Sequence, residues 1–441
     1  MSTEKLTYGY NQADYKKFKQ FAWKMLLSFG LTYMFFYNGR QNMSLVLSSL
    51  AESFGTTKAA VGFISSSLFW CYGFGHLFSG RLGEVFGNKK FMIIGIIVSA
   101  IVNFAISFQN SLVMIAILWG VNGFAQSMVW SPGVGVLNKW WPKEKRGYAS
   151  GVATGFSGVA QVVTYGCVLL ALSISPDWGW RAAFRWPLIP MVIILVVFII
   201  FVNDSPEAVG LAPFVEPDAA ASAEDDKRIA ILKTKSAVYP YKLMFSEPKV
   251  ILLCFISAIA GIGRYGLLTW VPTYFTDAMG MSIKSGILSS ILLPLGQALA
   301  MFVFPMLTDK VFKGKREPML VLACFASVVL LCIFPFIKTQ IIASVMLLVT
   351  GCASMVTGVI WAISGDLGGR AMSGTTTGIL DWAIYMGSAI QSMIFGVVLD
   401  KTGSWPAIFI TIAVLYIIML IMVFIVRNMK MVKLEKAFAE G

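Results

Sequence analysis

Charged residues are scarce in this chain, and their scarcity excludes a typical water-soluble protein. Asp, Glu, Lys and Arg make up only 13% of the 441 residues, whereas 57% are hydrophobic. Soluble domains carry about 25% charged residues, because a large apolar surface would otherwise face water. The composition therefore predicts a protein that crosses a membrane several times.

Histidine is almost absent, and the cysteines follow no metal-binding pattern. His76 is the only histidine, which excludes a site built on two histidines. The six cysteines lie in apolar runs without metal-ligand spacing, so they indicate neither a zinc site nor a disulfide framework. No convincing nucleophile and base pair can be assembled. We therefore expect a protein that is not an enzyme and has neither a metal nor a cofactor.

Long apolar runs dominate what is present. Each is continuous rather than alternating, which indicates transmembrane helices and not a β-barrel. The first 22 residues lack a cleavage-site pattern, so the first run is expected to be retained. The fold class predicted is an all-α membrane protein with twelve transmembrane helices, at about 23–50, 60–82, 91–108, 112–137, 147–173, 183–203, 250–276, 285–308, 318–337, 340–364, 372–399 and 405–427.

The net charge of +13 has a topological interpretation. Of the 35 Lys and Arg residues, 27 lie in the segments predicted on one side of the membrane and 6 on the other, and two lie inside runs. This asymmetry follows the positive-inside rule and predicts that both termini are cytoplasmic. The excess positive charge therefore does not indicate a nucleic-acid partner.

The series of long apolar runs is interrupted once by a polar segment, and this segment separates two similar parts of the chain. We expect an N-terminal six-helix half at 1–203, a cytoplasmic linker at 204–249 and a C-terminal six-helix half at 250–441. Arg40 is followed 44 residues later by Glu84, and Arg264 is followed 45 residues later by Asp309. This spacing predicts a duplicated unit whose pseudo-symmetric halves place the two arginines across a central cavity.

Arg264 lies near the middle of a predicted transmembrane run. An arginine there costs roughly 2.5–3.5 kcal/mol on insertion scales, so it must face a protein interior or a wet cavity and have a partner. No acid lies within a helical turn of it; one on another helix, Asp381, could neutralise it, and Asp366 lies near a cytoplasmic helix end. The partner is therefore either such a carboxylate or an anionic substrate, and we favour the substrate.

Several motifs resemble those of known transporters. The loop from Gly80 to Lys90, with its glycine, acidic and basic residues, resembles the signature of the major facilitator superfamily. Four further stretches resemble the organophosphate:phosphate antiporter family, which includes the glycerol-3-phosphate and hexose-phosphate transporters; they are 130–132, 139–147, 264–274 and 309–314. The similarity covers nearly all of the chain except the linker and the termini.

The resemblance implies a set of substrate-binding residues. Arg40 and Arg264 match the two arginines that bind the substrate phosphate in this family. His76 stands where the family usually has a lysine, and Ser157 stands where the glycerol-3-phosphate transporter has a histidine. The aromatic positions of the family's cavity correspond to Tyr33, Tyr37, Tyr72, Trp130 and Tyr385.

Two neighbouring positions are harder to place from the sequence. Asp381 is either a proton-linked or substrate-linked acid, which could pair with Arg264 when the cavity is empty, or a helix-packing group. Tyr265 directly follows Arg264 and is expected to point elsewhere.

Together these features predict a secondary active transporter of the plasma (inner) membrane. Its expected partners are a small organic phosphate, inorganic phosphate as the exchanged ion, and the lipid bilayer, and it is expected to be a monomer. Two alternatives stay open, namely a proton-coupled symporter of organic anions such as carboxylates or phosphonates, and a sensor that binds a sugar phosphate without transporting it.

Overall fold

The chain folds almost entirely into helices. A computed structural model describes residues 9–212, 228, 230–232, 234–236, 238–313, 315–367 and 369–439. In the N-terminal segment (residues 9–212) the α-helices are α1 Gln12–Phe36, α2 Asn42–Leu45, α3 Leu47–Phe54, α4 Lys58–Phe86, α5 Asn88–Ile106, α6 Leu112–Trp140, α7 Lys143–Ile174 and α8 Leu188–Phe201. Short 3₁₀-helices lie at Tyr37–Gly39, Pro176–Phe184 and Pro206–Val209.

The C-terminal segment (residues 238–439) is helical in the same way. Its α-helices are α9 Tyr239–Ser246, α10 Pro248–Asp277, α11 Ile283–Ser290, α12 Leu292–Lys310, α13 Arg316–Ile333, α14 Gln340–Ser354, α15 Val356–Leu367, α16 Gly369–Thr402, α17 Trp405–Arg427 and α18 Val432–Ala439. A 3₁₀-helix lies at Phe334–Phe336. The predicted linker at 204–249 includes residues 213–227, which lie outside the described residues.

Ten helical stretches in the described part of the chain are long and apolar enough to cross a membrane. They coincide with the last ten predicted runs, from Asn88–Ile106 to the stretch that begins at Trp405. The first predicted run covers the second half of α1 together with α2 and part of α3, and the second coincides with α4; α1 contains four lysines, and α4 contains several serines and His76.

The prediction of one continuous helix over 23–50 is wrong. α1 ends at Phe36, a 3₁₀ turn follows, and Arg40 has φ −124° and ψ −42° before α2 begins at Asn42. One continuous helix would have put Arg40 on the face that carries Tyr33 and Tyr37, whereas the structure places Arg40 outside α1, after the 3₁₀ turn. Arg264, by contrast, lies inside the unbroken helix α10.

Glycine allows the helices of each segment to pack closely. A Cβ on Gly123 of α6 would collide with the backbone of Leu68 in α4, and one on Gly351 of α14 would collide with the backbone of Leu293 in α12. Small residues at such crossings let helix backbones approach in a membrane, where packing and not the hydrophobic effect drives helix association. The two segments thus use the same device in corresponding helix pairs.

The two segments meet along two pairs of long helices. α4 packs against α16, and α7 packs against α12. A contact outside these pairs is made at one end of the molecule, where Lys58 forms a 2.7 Å salt bridge with Asp277. We call this the closed end.

The termini and the residues around the linker share the opposite end, here named the linker end. The Tyr10 hydroxyl donates to the carbonyl oxygen of Ala212. The backbone N–H of Leu434 in α18 donates to Glu247, and Lys433 Nζ donates to the carbonyl oxygen of Ser246. Both described ends of the chain therefore lie beside the segment that joins the two sets of helices.

Candidate substrate site

Amide side chains stabilise the helix break next to Arg40 by donating to its backbone carbonyl oxygens. The carbonyl oxygen of Gly39 accepts hydrogen bonds from Asn122 Nδ2 at 2.7 Å and Asn103 Nδ2 at 3.0 Å, and that of Phe36 accepts one from Gln126 Nε2 at 3.3 Å. An unwound backbone at membrane depth must have its polar groups satisfied by protein. The amides of α5 and α6 supply this, and the break directs Arg40 toward the C-terminal segment.

Tyrosines surround the guanidinium of Arg40. Its Nη2 donates to the hydroxyl of Tyr385 at 2.9 Å and to that of Tyr265 at 3.1 Å. Its Cζ lies 4.2 Å from the ring centroid of Tyr72 and 5.3 Å from that of Tyr37. Two of these tyrosines belong to each segment, so Arg40 sits at the boundary between them. Aromatic faces attract a desolvated cation, but they leave its net charge in place.

Arg264 lies on the other side of Tyr265. Its Cζ is 5.0 Å from the Tyr265 ring centroid and 5.3 Å from that of Trp361, and its Nη1 is 3.4 Å from Thr357 Oγ1. Its exposed fraction is 2%, and that of Arg40 is 5%. Tyr265, 5.7 Å by its centroid from Arg40 Cζ, is therefore flanked by both guanidiniums. Neither arginine is turned toward lipid.

Neither buried guanidinium has a protein counter-ion within the described residues. The salt bridges found there join other side chains, and both Arg40 Nε and Arg264 Nε lack a hydrogen-bond partner. Arginine keeps its charge in a protein interior, and an unpaired buried charge is costly. Two such charges beside one ring, one from each segment, form a site that an anion with several oxygens would complete.

Asp381 pairs with His76 rather than with Arg264. Its Oδ2 lies 2.8 Å from His76 Nε2, and its Oδ1 accepts a 3.0 Å hydrogen bond from Trp361 Nε1. Ser131 Oγ lies 3.4 Å from His76 Nε2. The Asp381–Arg264 pair, which the sequence left open as an alternative, is therefore not among the salt bridges of the described residues. The His76–Asp381 contact joins α4 to α16 and so connects the two segments.

The other predicted residues lie at different distances from this centre. Tyr33 packs edge-on against Tyr37 with centroids 5.4 Å apart and lies tilted against Trp130 at 4.7 Å, so an aromatic row extends from Arg40 into the N-terminal segment. Ser157 in α7 donates to the carbonyl oxygen of Thr154 at 2.7 Å. No described contact joins Ser157 to the arginines.

Sequence reasoning missed three residues of this centre. Tyr265, expected to point elsewhere, contacts Arg40 and lies 3.2 Å from the Tyr385 hydroxyl. The expectation that Tyr265 points away from Arg264 is wrong. The Arg264 guanidinium packs over the Tyr265 ring, and the two residues, although adjacent on α10, both face this centre. Trp361 and Thr357 were not singled out. The sequence signal for them is their spacing: Thr357 and Trp361 lie four residues apart, which places them on one helix face of the run that precedes Asp381.

The side chains of Asp309, Asp366, Lys143 and Glu144 lie outside the described residues. In the part of the chain that the structure does describe, no three His, Cys, Asp or Glu side chains come together as a metal site.

Comparison with known proteins places this chain in a family. The model of the Major Facilitator Superfamily matches residues 29–392. A probable hexose phosphate transport protein of Chlamydia trachomatis is 26% identical over 430 residues, covering 92% of this chain and 91% of that one. The glycerol-3-phosphate transporter of Bacillus subtilis is 24% identical, covering 87% of each chain. These relatives agree with the organophosphate:phosphate antiporter resemblance.

A solved structure has the same fold. It is a bacterial homologue of the human lysosomal transporter Spinster in an inward-facing, unoccupied conformation. It superimposes with a TM-score of 0.76 at 13% identity, and the match covers 92% of this chain and 97% of that one. At this identity the likeness concerns the fold alone.

Proposed function

Because this chain belongs to the major facilitator superfamily, we propose that it is a secondary active transporter that exchanges a phosphorylated small organic anion for inorganic phosphate. The organic anion is of the sugar phosphate or glycerol phosphate type. We further propose that the protein acts as a monomer in the inner membrane with both termini in the cytoplasm. The one observation that carries the proposal is the buried pair Arg40 and Arg264, without a described counter-ion on either side of Tyr265.

The chemistry of phosphate suits this pair. A phosphate ester offers three terminal oxygens and up to two negative charges, and guanidinium groups bind such oxygens in bidentate fashion. A ligand between the arginines would satisfy the free Nε atoms and neutralise both charges. Tyr265 and Tyr385, whose hydroxyls already contact Arg40 or each other, can donate to the remaining oxygens.

The architecture proposed is twelve transmembrane helices in two six-helix halves, at 1–203 and 250–441, joined by the linker at 204–249. By their order in each half, α4 corresponds to α12 and α7 to α16. The packing of α4 on α16 and of α7 on α12 therefore supports a pseudo-two-fold axis, because rotation about it carries one pair onto the other. The corresponding positions of Gly123 and Gly351 support it as well. Alternating access then takes place by movement of one half against the other around the arginines.

The electrostatics of the site support exchange. Two facing cations without an anion oppose closure of the halves around them, whereas a bound phosphate group bridges both arginines and favours the occluded state. The protein therefore changes from opening on one side of the membrane to opening on the other only when an anion is bound.

A transport assay tests this step. In proteoliposomes loaded with inorganic phosphate, we expect uptake of labelled glycerol-3-phosphate or glucose-6-phosphate to collapse when the internal phosphate is omitted. Uptake that proceeds unchanged without internal phosphate would rule out exchange.

A second candidate function is proton-coupled symport of an organic anion. It is favoured by the 2.8 Å contact between His76 and Asp381, which spans the two segments and is an ion pair only when the imidazole is protonated. An imposed pH gradient, inside alkaline, would then drive uptake into vesicles that hold no counter-substrate. The same gradient would leave an exchanger inactive, so the two assays separate the candidates.

The closed end should act as a gate, since a carboxylate of one segment caps a helix of the other. Asp400 accepts hydrogen bonds from the backbone N–H groups of Lys58 at 2.9 Å and Ala59 at 2.7 Å, at the start of α4. A side-chain cap contributes about 1 kcal/mol, which corresponds to about a fivefold change in a population ratio. We expect Asp400→Ala to favour conformations open at this end by about that factor.

Spin labels at exposed Ser53 and Ala278, in a background without the native cysteines, would report the opening as a longer distance. Thr57→Ala is the matched control, because Thr57 Oγ1 caps α4 from within the N-terminal segment by accepting from the N–H of Ala60 at 3.2 Å. Longer distances are expected for Asp400→Ala and not for Thr57→Ala. Equal distance distributions in the two variants would contradict a gating role for Asp400.

A further inference from the structure

A groove on the outer surface carries three lysines above an apolar floor. It lies along α1 beside the end of α8 and has a volume of about 660 Å³. Its lining includes Lys16, Lys19, Trp23, Lys24, Leu27, Leu31 and Phe201. We propose that this groove binds one anionic glycerophospholipid, with the headgroup phosphate at the lysines and an acyl chain along the leucines. The site is separate from the arginine centre and does not depend on the transported substrate.

The lining residues form one stripe along α1. Lys16, Lys19, Trp23, Leu27 and Leu31 recur every three or four residues, which places them on one face of the helix. Polarity changes in one direction along this stripe, from lysines at the linker end to leucines in the C-terminal half of α1. A phospholipid has the same order, with charge at one end and hydrocarbon at the other.

The length of the stripe matches one leaflet. From residue 16 to residue 31 an α-helix rises about 22 Å at about 1.5 Å per residue. A bilayer is about 40–45 Å thick with its headgroups, so one leaflet measures roughly 20–22 Å. The lysines therefore fall at headgroup level when the leucines reach the hydrocarbon.

Aromatic side chains fix the walls of the groove at the boundary between these regions. The Trp23 ring packs edge-on against Trp141 with centroids 5.4 Å apart, and Lys24 Nζ lies 4.3 Å from the ring centroid of Phe201. Tryptophan is enriched at this level of a membrane, because its ring is apolar and its N–H is polar. Lys24 is thus held over the groove rather than extended into water.

The charge of the groove selects an anionic lipid. None of Lys16, Lys19 and Lys24 forms a salt bridge with a carboxylate in the described part of the chain. Each basic residue near a membrane surface adds to the attraction for acidic lipids by about fivefold in affinity, so three give about a hundredfold. A zwitterionic headgroup carries its own cation and gains little from such a cluster.

Native mass spectrometry of the purified full chain tests the proposal. After incubation with equal amounts of phosphatidylglycerol and phosphatidylethanolamine, we expect one phosphatidylglycerol to stay bound at collision energies that remove the other lipids. The triple variant Lys16→Gln, Lys19→Gln, Lys24→Gln should lose about a hundredfold in phosphatidylglycerol affinity, whereas the triple Lys→Arg variant should keep it.

The matched control removes the same charge elsewhere at the linker end. Lys242, Lys313 and Lys430 are exposed, and their replacement by Gln should leave the retained lipid unchanged. Equal retention in both triple Gln variants would overturn the site, as would retention of phosphatidylethanolamine at the same level. Displacement by soluble glycerol-3-phosphate would also overturn it, because the ligand would then be a free phosphate ester and not a lipid.

Discussion

Replacing Arg40 or Arg264 with glutamine is expected to reduce the uptake of an organic phosphate by about 30-fold to 4,000-fold. The range follows from the loss of one partner of a buried, hydrogen-bonded charge pair, which costs about 2–5 kcal/mol, at about 1.4 kcal/mol per tenfold. Both guanidiniums are buried and have unpaired Nε atoms, so a bound phosphate would depend on each of them. The two variants should therefore be impaired to a similar extent.

Binding is measured apart from transport by thermal stabilisation. A ligand that binds only the folded protein raises the melting temperature in proportion to the logarithm of its concentration over its Kd. We expect phosphate and phosphate esters to stabilise the unmodified protein and to lose this effect in Arg40→Gln and Arg264→Gln. Arg427→Gln is the control, because Arg427 is exposed at the end of α17.

Lysine variants separate charge from geometry at the same positions. Arg40→Lys and Arg264→Lys keep the charge and lose the planar fork that binds two oxygens at once. We expect them to be intermediate, with weaker binding but measurable exchange. Should both glutamine variants transport and bind phosphate esters normally, the arginines would not contact substrate and the proposed function would lose its main support.

The two arginines could be predicted because their signal is local. A charge inside a long apolar run costs free energy whatever the surroundings, so Arg40 and Arg264 stand out without knowledge of the fold. The break at Arg40 could not be predicted in this way. It depends on Asn103, Asn122 and Gln126, which lie on two other helices and meet the carbonyl oxygens of Gly39 and Phe36 only in the folded chain.

The contacts between the segments also depend on tertiary structure. Which face of α10 meets Arg40 is set by the rotation of each helix against its neighbours, and periodicity does not reveal this in a run that is apolar on all sides. Tyr265 and Trp361 were therefore not expected at the centre. The partner of Asp381 could not be predicted for the same reason. The charge of Asp381 is evident from the sequence, but its partner, His76, lies on a helix of the other segment.

The His76–Asp381 pair is the second place where a large effect is expected. Both side chains are buried, with exposed fractions of 5% and 8%, and the carboxylate is further held by Trp361 Nε1 at 3.0 Å. Removing one partner leaves the other polar group buried and unpaired, which costs up to about 3–5 kcal/mol where that group is charged, whereas replacing both partners with apolar residues is often neutral. We expect Asp381→Leu and His76→Leu each to lower the thermal stability strongly and the double variant to recover much of the loss.

A double-mutant cycle measures this recovery as a coupling between the two sites. The control cycle uses Lys58 and Asp277, whose side chains are 30% and 26% exposed and should couple by about 0–1 kcal/mol. A coupling in the His76–Asp381 cycle no larger than in the control would mean that the contact does not hold α4 against α16.

The same variants distinguish a structural from a transport role for the pair. If the pair only joins the segments, the stable double variant His76→Leu, Asp381→Leu should exchange phosphate at a rate close to that of the unmodified protein. If the pair carries a proton during transport, the double variant should be as stable but unable to use a pH gradient for uptake. Since Arg40 and Arg264 are left intact in this variant, its phosphate binding should persist in both cases.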